Sequence, residues 1–316
     1  MVCMGRFLSV RVASEGILFV MKRHLPAFVV GCLLTPLTGC STPETGPAVF
    51  EHDGLERSYH LHAPRDRPEE APLVVVMHGY GGNGDSMRTQ YGWIELADRE
   101  GFAGCFPDGT IDDRGRPFWN VGYDQHLESE VDDTGFIVAL VGHLQDRHGL
   151  DAERTFATGL SNGGDLSIQL SARASEHFAA IGPVVGTMME SLYRDCDPSI
   201  PRPMIAFNGT DDRITRFDGD IENADGWGPY RSMPEVVTLW SGLLGTTEVE
   251  TIRLPDRAPD DGSVVEFERH HGADHGRELH LYRVVGGGHD WPGAYGNMDV
   301  EATELIWAFF ESVGES

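Results

Sequence analysis

Lysine is nearly missing from this chain. Lys and Arg together number 24, and only Lys22 is a lysine; Asp and Glu number 50, for a formal net charge of -26. A surface of that sign repels phosphate backbones, which excludes a nucleic-acid binder held by bulk charge. It reads as a solvated acidic surface, or more sharply as one suited to a salty medium that screens its self-repulsion. Cysteine is scarce too. The five, at Cys3, Cys32, Cys40, Cys105 and Cys196, show no CxxC spacing, so a zinc ribbon or a thioredoxin-type site is excluded. What is present is 316 residues that are 40% hydrophobic. That suffices to close one large core, and it excludes a disordered chain, a collagen-like repeat and a small disulfide-stapled scaffold.

The first 40 residues read as an address. Met21-Lys-Arg-His24 is a short basic start, and Leu25 to Leu34 is an apolar run too short to span a bilayer. Leu37-Thr-Gly-Cys40 then resembles the bacterial lipobox, which makes Cys40 the expected lipidation site and the bacterial cell envelope the expected location. Residues 1–20 precede the better start at Met21 and could be a misplaced start. Residues 41–47 form a Pro/Thr/Gly tether, leaving 48–316 as the expected catalytic domain. Cys105 lies in an apolar run and reads as a buried free thiol.

Beyond the tether, strand and helix patterns alternate. Pro72 to Met77 is a continuous apolar run, as buried parallel strands are. Met87 to Glu100 reads as a helix, Phe102 to Phe106 as a strand and Thr134 to His148 as an amphipathic helix. Arg154 to Thr158, Phe178 to Val185, Pro203 to Phe207 and Glu278 to Val285 read as further strands, with Glu301 to Phe310 as a closing helix. This order predicts an α/β fold: a doubly wound, mainly parallel sheet with helices on both faces.

The chemistry gathers at the ends of those strands. Gly159-Leu-Ser161-Asn-Gly163 is a G-x-S-x-G between a predicted strand and a predicted helix, the context in which a serine is held exposed on a tight turn. A serine hydroxyl needs a base. His289, framed by Gly286-Gly-Gly288 and Trp291-Pro292, follows the last strand and supplies one. The third member should lie between the two in the chain, and Asp211-Asp212 after Phe207-Asn-Gly-Thr210 fit that order. Only one of these carboxylates can face the histidine, because adjacent residues leaving a strand point opposite ways. His78-Gly-Tyr-Gly-Gly82 follows a buried strand, where it can present backbone donors to an oxyanion. The expected donors are the amides of Tyr80 and Asn162. A phosphate cradle is the competing reading, but no Gly-Lys-Ser/Thr follows. His270, His271 and His275 are a bare pair plus one and make no metal site. Trp119 and Trp291 are candidates for shaping the substrate pocket.

Taken in order, His78-Gly-Tyr-Gly-Gly82, Phe106-Pro-Asp-Gly109, Trp119-Asn120, Val131-Asp-Asp-Thr-Gly-Phe136, Ala157 to Gly164, Asn208-Gly-Thr-Asp-Asp212 and Gly286 to Gly293 resemble the polyhydroxybutyrate depolymerase/feruloyl esterase family. The likeness runs from about Arg57 to Phe310. It implies an α/β-hydrolase fold, a secreted carboxylic ester hydrolase, and a triad on Ser161, Asp212 and His289. Two features depart from that pattern. Asn208 stands where the aspartate motif usually opens with histidine, and the stretches 121–126 and 270–276 lack the cysteines that many relatives carry there. Asp132-Asp133 is expected to brace a helix start.

The resulting expectation is an exported serine esterase working through an acyl-enzyme on feruloyl, acetyl-xylan or polyhydroxyalkanoate-type esters. Its partners would be ester substrates, including plant cell-wall polysaccharide or polyester; no nucleic acid is expected, and membrane contact only through the lipid anchor. No cofactor or metal is implied. The alternatives are a peptidase or other acyl hydrolase of the same fold, or a catalytically silent polymer-binding lipoprotein.

Overall fold

The computed structural model describes residues 46–314. The leader, with Cys3, Cys32 and Cys40, lies outside the described residues, as does most of the tether.

The strands in chain order are β1 (Ala48–His52), β2 (Leu55–His62), β3 (Ala71–Met77), β4 (Ala103–Pro107), the short pair β5 (Thr110–Ile111) and β6 (Pro117–Phe118), β7 (Leu150–Leu160), β8 (Ala180–Val184), β9 (Met204–Gly209), β10 (Glu248–Arg253), β11 (Val264–His271) and β12 (Leu279–Val285). Ten of them form one sheet in the order β1-β2-β4-β3-β7-β8-β9-β12-β11-β10. The block from β4 to β12 is parallel, and both flanks are antiparallel.

The parallel block is covered on both faces. Along β3, Leu73, Val75 and Met77 enter one core and Val74 and Val76 the other, the two-residue alternation of a pleated strand. The first core takes side chains from α3 (Asp133–His148), α4 (Asn162–Arg173) and α6 (Met233–Leu244), among them Phe136, Leu166 and Trp240. The second takes them from α2 (Trp93–Glu100) and α7 (Ala302–Gly314), among them Trp93, Trp307 and Phe310. This is the doubly wound arrangement that the apolar strand runs predict. Cys105 is buried on β4 and free, and Cys196 is also free.

Three elements differ from expectation. Met87 to Glu100 is two helices, α1 (Gly84–Gln90) and α2, because Gly92 takes a left-handed φ of 74° between them. Helix α6 opens on a capping box, with Ser232 and Glu235 satisfying each other's backbone amides and a proline in its first turn. Strand β10 is exposed along its whole length and has no apolar run to announce it. Asp132 and Asp133 do brace a helix start. Asp132 caps α3 by accepting from Gly135 N at 2.9 Å, and Asp133 is buried on Arg57 at 2.7 Å.

Candidate active site

Strand β7 ends at Leu160 and α4 begins at Asn162, so Ser161 makes the whole turn by itself. Its φ of 54° and ψ of −120° place a side-chain-bearing residue in a conformation that glycine usually occupies. The turn is pinned by Ser161 N donating to Val184 O at 2.8 Å and by Asp165 N donating to Ser161 O at 2.8 Å. A Cβ on Gly159 would stand 2.5 Å from the Gly163 carbonyl carbon, and one on Gly163 only 2.3 Å from Met77 O. Those two glycines let strand, turn and helix close on one another.

His289 comes from the loop after β12, and Asp212 from the loop after β9. These neighbouring parallel strands are linked beyond their ends: Thr210 N donates to Val284 O at 2.9 Å and Asp211 N to Gly287 O at 2.9 Å. Asp212 Oδ2 lies 2.7 Å from His289 Nδ1, so the carboxylate accepts a hydrogen bond from Nδ1–H, which holds the proton there and leaves the Nε2 lone pair free. Asp212 Oδ1 accepts from Ile214 N and Thr215 N at 2.7 and 2.9 Å. One buried carboxylate thus faces the imidazole and holds its own loop, whereas the Asp211 carboxylate is exposed and accepts from the Thr210 hydroxyl at 3.3 Å. Asn208, at the usual histidine position, donates to Gly186 O at 3.0 Å.

Tyr80 sits on the loop after β3, next to Ser161 in the cleft. Gly81 N donates to Pro117 O at 2.8 Å and Gly82 N to Gly79 O at 2.9 Å, which fixes the loop on either side of the Tyr80 amide. His78 is buried beneath it, donating from Nδ1 to Gly79 O at 2.7 Å and accepting at Nε2 from Gly109 N at 2.9 Å. Burial lowers its pKa, and this bonding pattern belongs to the neutral ring. The Asn162 backbone opens α4. Its side chain clasps the Trp119 backbone, accepting from Trp119 N at 2.8 Å and donating to Trp119 O at 3.0 Å.

Ser161 and His289 line a cleft of about 250 Å3 at the carboxyl ends of the parallel strands, where ligands of open α/β sheets bind. Trp119 and Trp291 do not reach it. Trp119 is wholly buried and donates from its indole to His78 O at 2.8 Å, acting as a staple between loops. Trp291 is 1% exposed, packs on Tyr91 and Trp93, and donates to the Thr303 hydroxyl. The aromatic wall is instead Tyr80, Tyr123, Trp227 and Tyr230, and buried Asp165 lines the same cleft. Sequence reasoning missed these four residues beyond Tyr80. Trp227 and Tyr230 sit in an irregular Gly/Asp-rich loop with no periodicity; Asp165, directly after the elbow glycines, was open to notice. Among the described residues the grouping with metal-like spacing is His52, Asp53 and Asp132, and none of the three lines the cleft.

Residues 57–196 match the family Esterase PHB depolymerase. A putative esterase, NocK, of Nocardia uniformis subsp. tsuyamanensis is 29% identical over 253 residues, 76% of this chain and 72% of that protein. Feruloyl esterase B of Piromyces equi is 23% identical over 223 residues; they make up 69% of this chain but 39% of that longer protein. Among solved structures, an acetyl xylan esterase from Aspergillus awamori superposes with a TM-score of 0.56 at 16% identity, over 80% of this chain and 94% of that one. The chain has the α/β-hydrolase fold and is similar in sequence to carboxylic ester hydrolases of the PHB depolymerase and feruloyl esterase type.

Proposed function

We propose that the protein hydrolyses carboxylic esters through an acyl-enzyme on Ser161. The observation that carries this reading is the 2.7 Å contact of Asp212 with His289 Nδ1, in a cleft that His289 shares with Ser161 on its strained turn. His289 Nε2 takes the Ser161 proton as Oγ attacks the ester carbonyl, and the amides of Tyr80 and Asn162 receive the oxyanion. The imidazolium then protonates the departing alcohol; water repeats the cycle and frees the acid. The relatives' names favour feruloyl, acetyl-xylan or polyhydroxyalkanoate-type esters. Protein lacking residues 1–40 should hydrolyse short p-nitrophenyl esters, and Ser161→Ala should lose about 10⁴-fold or more in turnover. Background activity in folded wild-type protein would refute the reading.

The leader supports export to the bacterial cell envelope on a Cys40 lipid anchor, ahead of a 41–47 tether and a catalytic domain from residue 48. Labelled palmitate should appear on the wild type in an export-competent bacterium and be absent from Cys40→Ser.

A further inference from the structure

The cleft holds one group that this mechanism leaves idle. Asp165 stands one helical turn after Ser161 on α4 and is 3% exposed. Its Oδ1 accepts from Thr187 N at 2.7 Å and its Oδ2 from the Tyr123 hydroxyl at 2.6 Å. Both donors are neutral. Among the described residues no ion pair reaches Asp165; His289, on the same cleft, is the one chargeable base that acts on it, at longer range, and the nearby loop arginines are engaged elsewhere: Arg216 on Asp225, and Arg231 on Glu190 and Glu235. A buried carboxylate without a direct ion-pair partner is costly to ionise. Burial accordingly pushes its pKa from 3.8 to about 7.

A purely structural role would not need that charge. An asparagine at 165 could accept from Thr187 N and donate to the Tyr123 oxygen, keeping both bonds. The surplus feature is a carboxyl lining an open cleft that becomes negative as the pH rises through about 7, and the surrounding walls suit a positive charge. Tyr123 meets Trp227 edge-on at 5.4 Å, Trp227 meets Tyr80 edge-on at 5.6 Å, and Tyr230 lines the same space. Aromatic faces attract cations, and a chain of net charge -26 concentrates them.

We propose that Asp165, with Tyr123 and Trp227, selects ester substrates whose acyl or alcohol part carries an ammonium group over their neutral isosteres. The kinetic side of this proposal rests on Ser161 being the nucleophile; the binding side does not.

Two measurements test it. The first compares kcat/KM for butyrylcholine with that for 3,3-dimethylbutyl butyrate, which replaces the ammonium nitrogen by carbon at the same shape. The wild type should favour the cationic ester about tenfold or more. Asp165→Asn should bring the ratio close to one. A ratio near one in the wild type, or an unchanged ratio in Asp165→Asn, overturns the proposal. If Asp165→Asn does not fold, Trp227→Leu takes its place and should lower the ratio. The second measurement is calorimetric titration of tetramethylammonium into the Ser161→Ala protein, which needs no turnover. Saturable binding in the millimolar range, weakened by adding Asp165→Asn, supports the site; no saturable binding overturns it. Asp165-dependent binding of tetramethylammonium together with background hydrolysis of p-nitrophenyl esters would refute the esterase reading and leave this site standing.

Discussion

Two buried aspartates, Asp165 and Asp212, follow Ser161 in the chain, and they are wired differently. Asp212 accepts from two loop amides and from an imidazole, so its negative charge faces a group that can become positive. Asp165 accepts from one amide and one phenol, neither of which can. Depth is the same for both, at 4% and 3% exposure. Their difference therefore lies in their partners, and the lesson is that burial alone does not assign a carboxylate its role. The partner decides whether the charge meets a group of the protein that can become positive or only neutral donors.

The largest way to break this comparison is Asp212→Asn. The amide oxygen can keep the Ile214 and Thr215 bonds, while its NH2 group faces His289 Nδ1 and forces the unproductive tautomer. Turnover should fall by about 10⁴ with the melting temperature nearly unchanged. Equal loss in Asp211→Asn would move the orienting role to that neighbour; its exposure predicts instead a stability change within about 0.5 kcal/mol.

A second test separates the aromatic wall from the aromatic core. Trp291→Ala should cost about 3–5 kcal/mol in denaturant unfolding, as a buried large-to-small change does, with KM for short esters unaltered in the protein that remains folded. A raised KM with full stability would put Trp291 back at the substrate.

The smallest effect concerns Asp165 and pH. Its folded pKa is raised from 3.8 to about 7, so the folded state holds this proton more tightly than the unfolded chain does. The stability linked to the protonated form is fully present below about pH 4 and is lost as the pH rises to about 7. Melting temperatures of wild type and Asp165→Asn, taken from pH 4 to 8, should therefore diverge in favour of the variant. A constant gap would mean that Asp165 is ionised throughout, with a counter-charge of its own.

The legible parts of this molecule were those whose physics is local. Parallel strands buried on both faces must be apolar throughout, so Pro72 to Met77 and its counterparts announced themselves. The elbow's glycines mark a turn that admits no side chains, and the histidine sits where the last parallel strand ends. The cleft wall was not legible, because a residue in a loop such as 213–230 gains its neighbours only through the whole fold. Trp119, Trp291 and Trp227 are alike in sequence, each beside glycine, proline or asparagine, yet one staples loops, one fills the core and one faces substrate space. The capping box at Ser232 and Glu235 is a local signal of the same kind, and it marks the start of α6.

The antiparallel flank of the sheet has a dynamic consequence. His289 hangs from β12, and β11 and then β10 lie outboard of it. Every residue of β10 is exposed, and Glu248, Glu250 and Arg253 put charges along that rim, which discourages edge-to-edge pairing with another chain. Opening from that rim therefore begins at β10 and must then free β11, which puts Val265 into the core, before it disturbs β12. Amide protons of β10 should exchange with solvent long before those of β9 and β12, the strands whose ends carry Asp212 and His289.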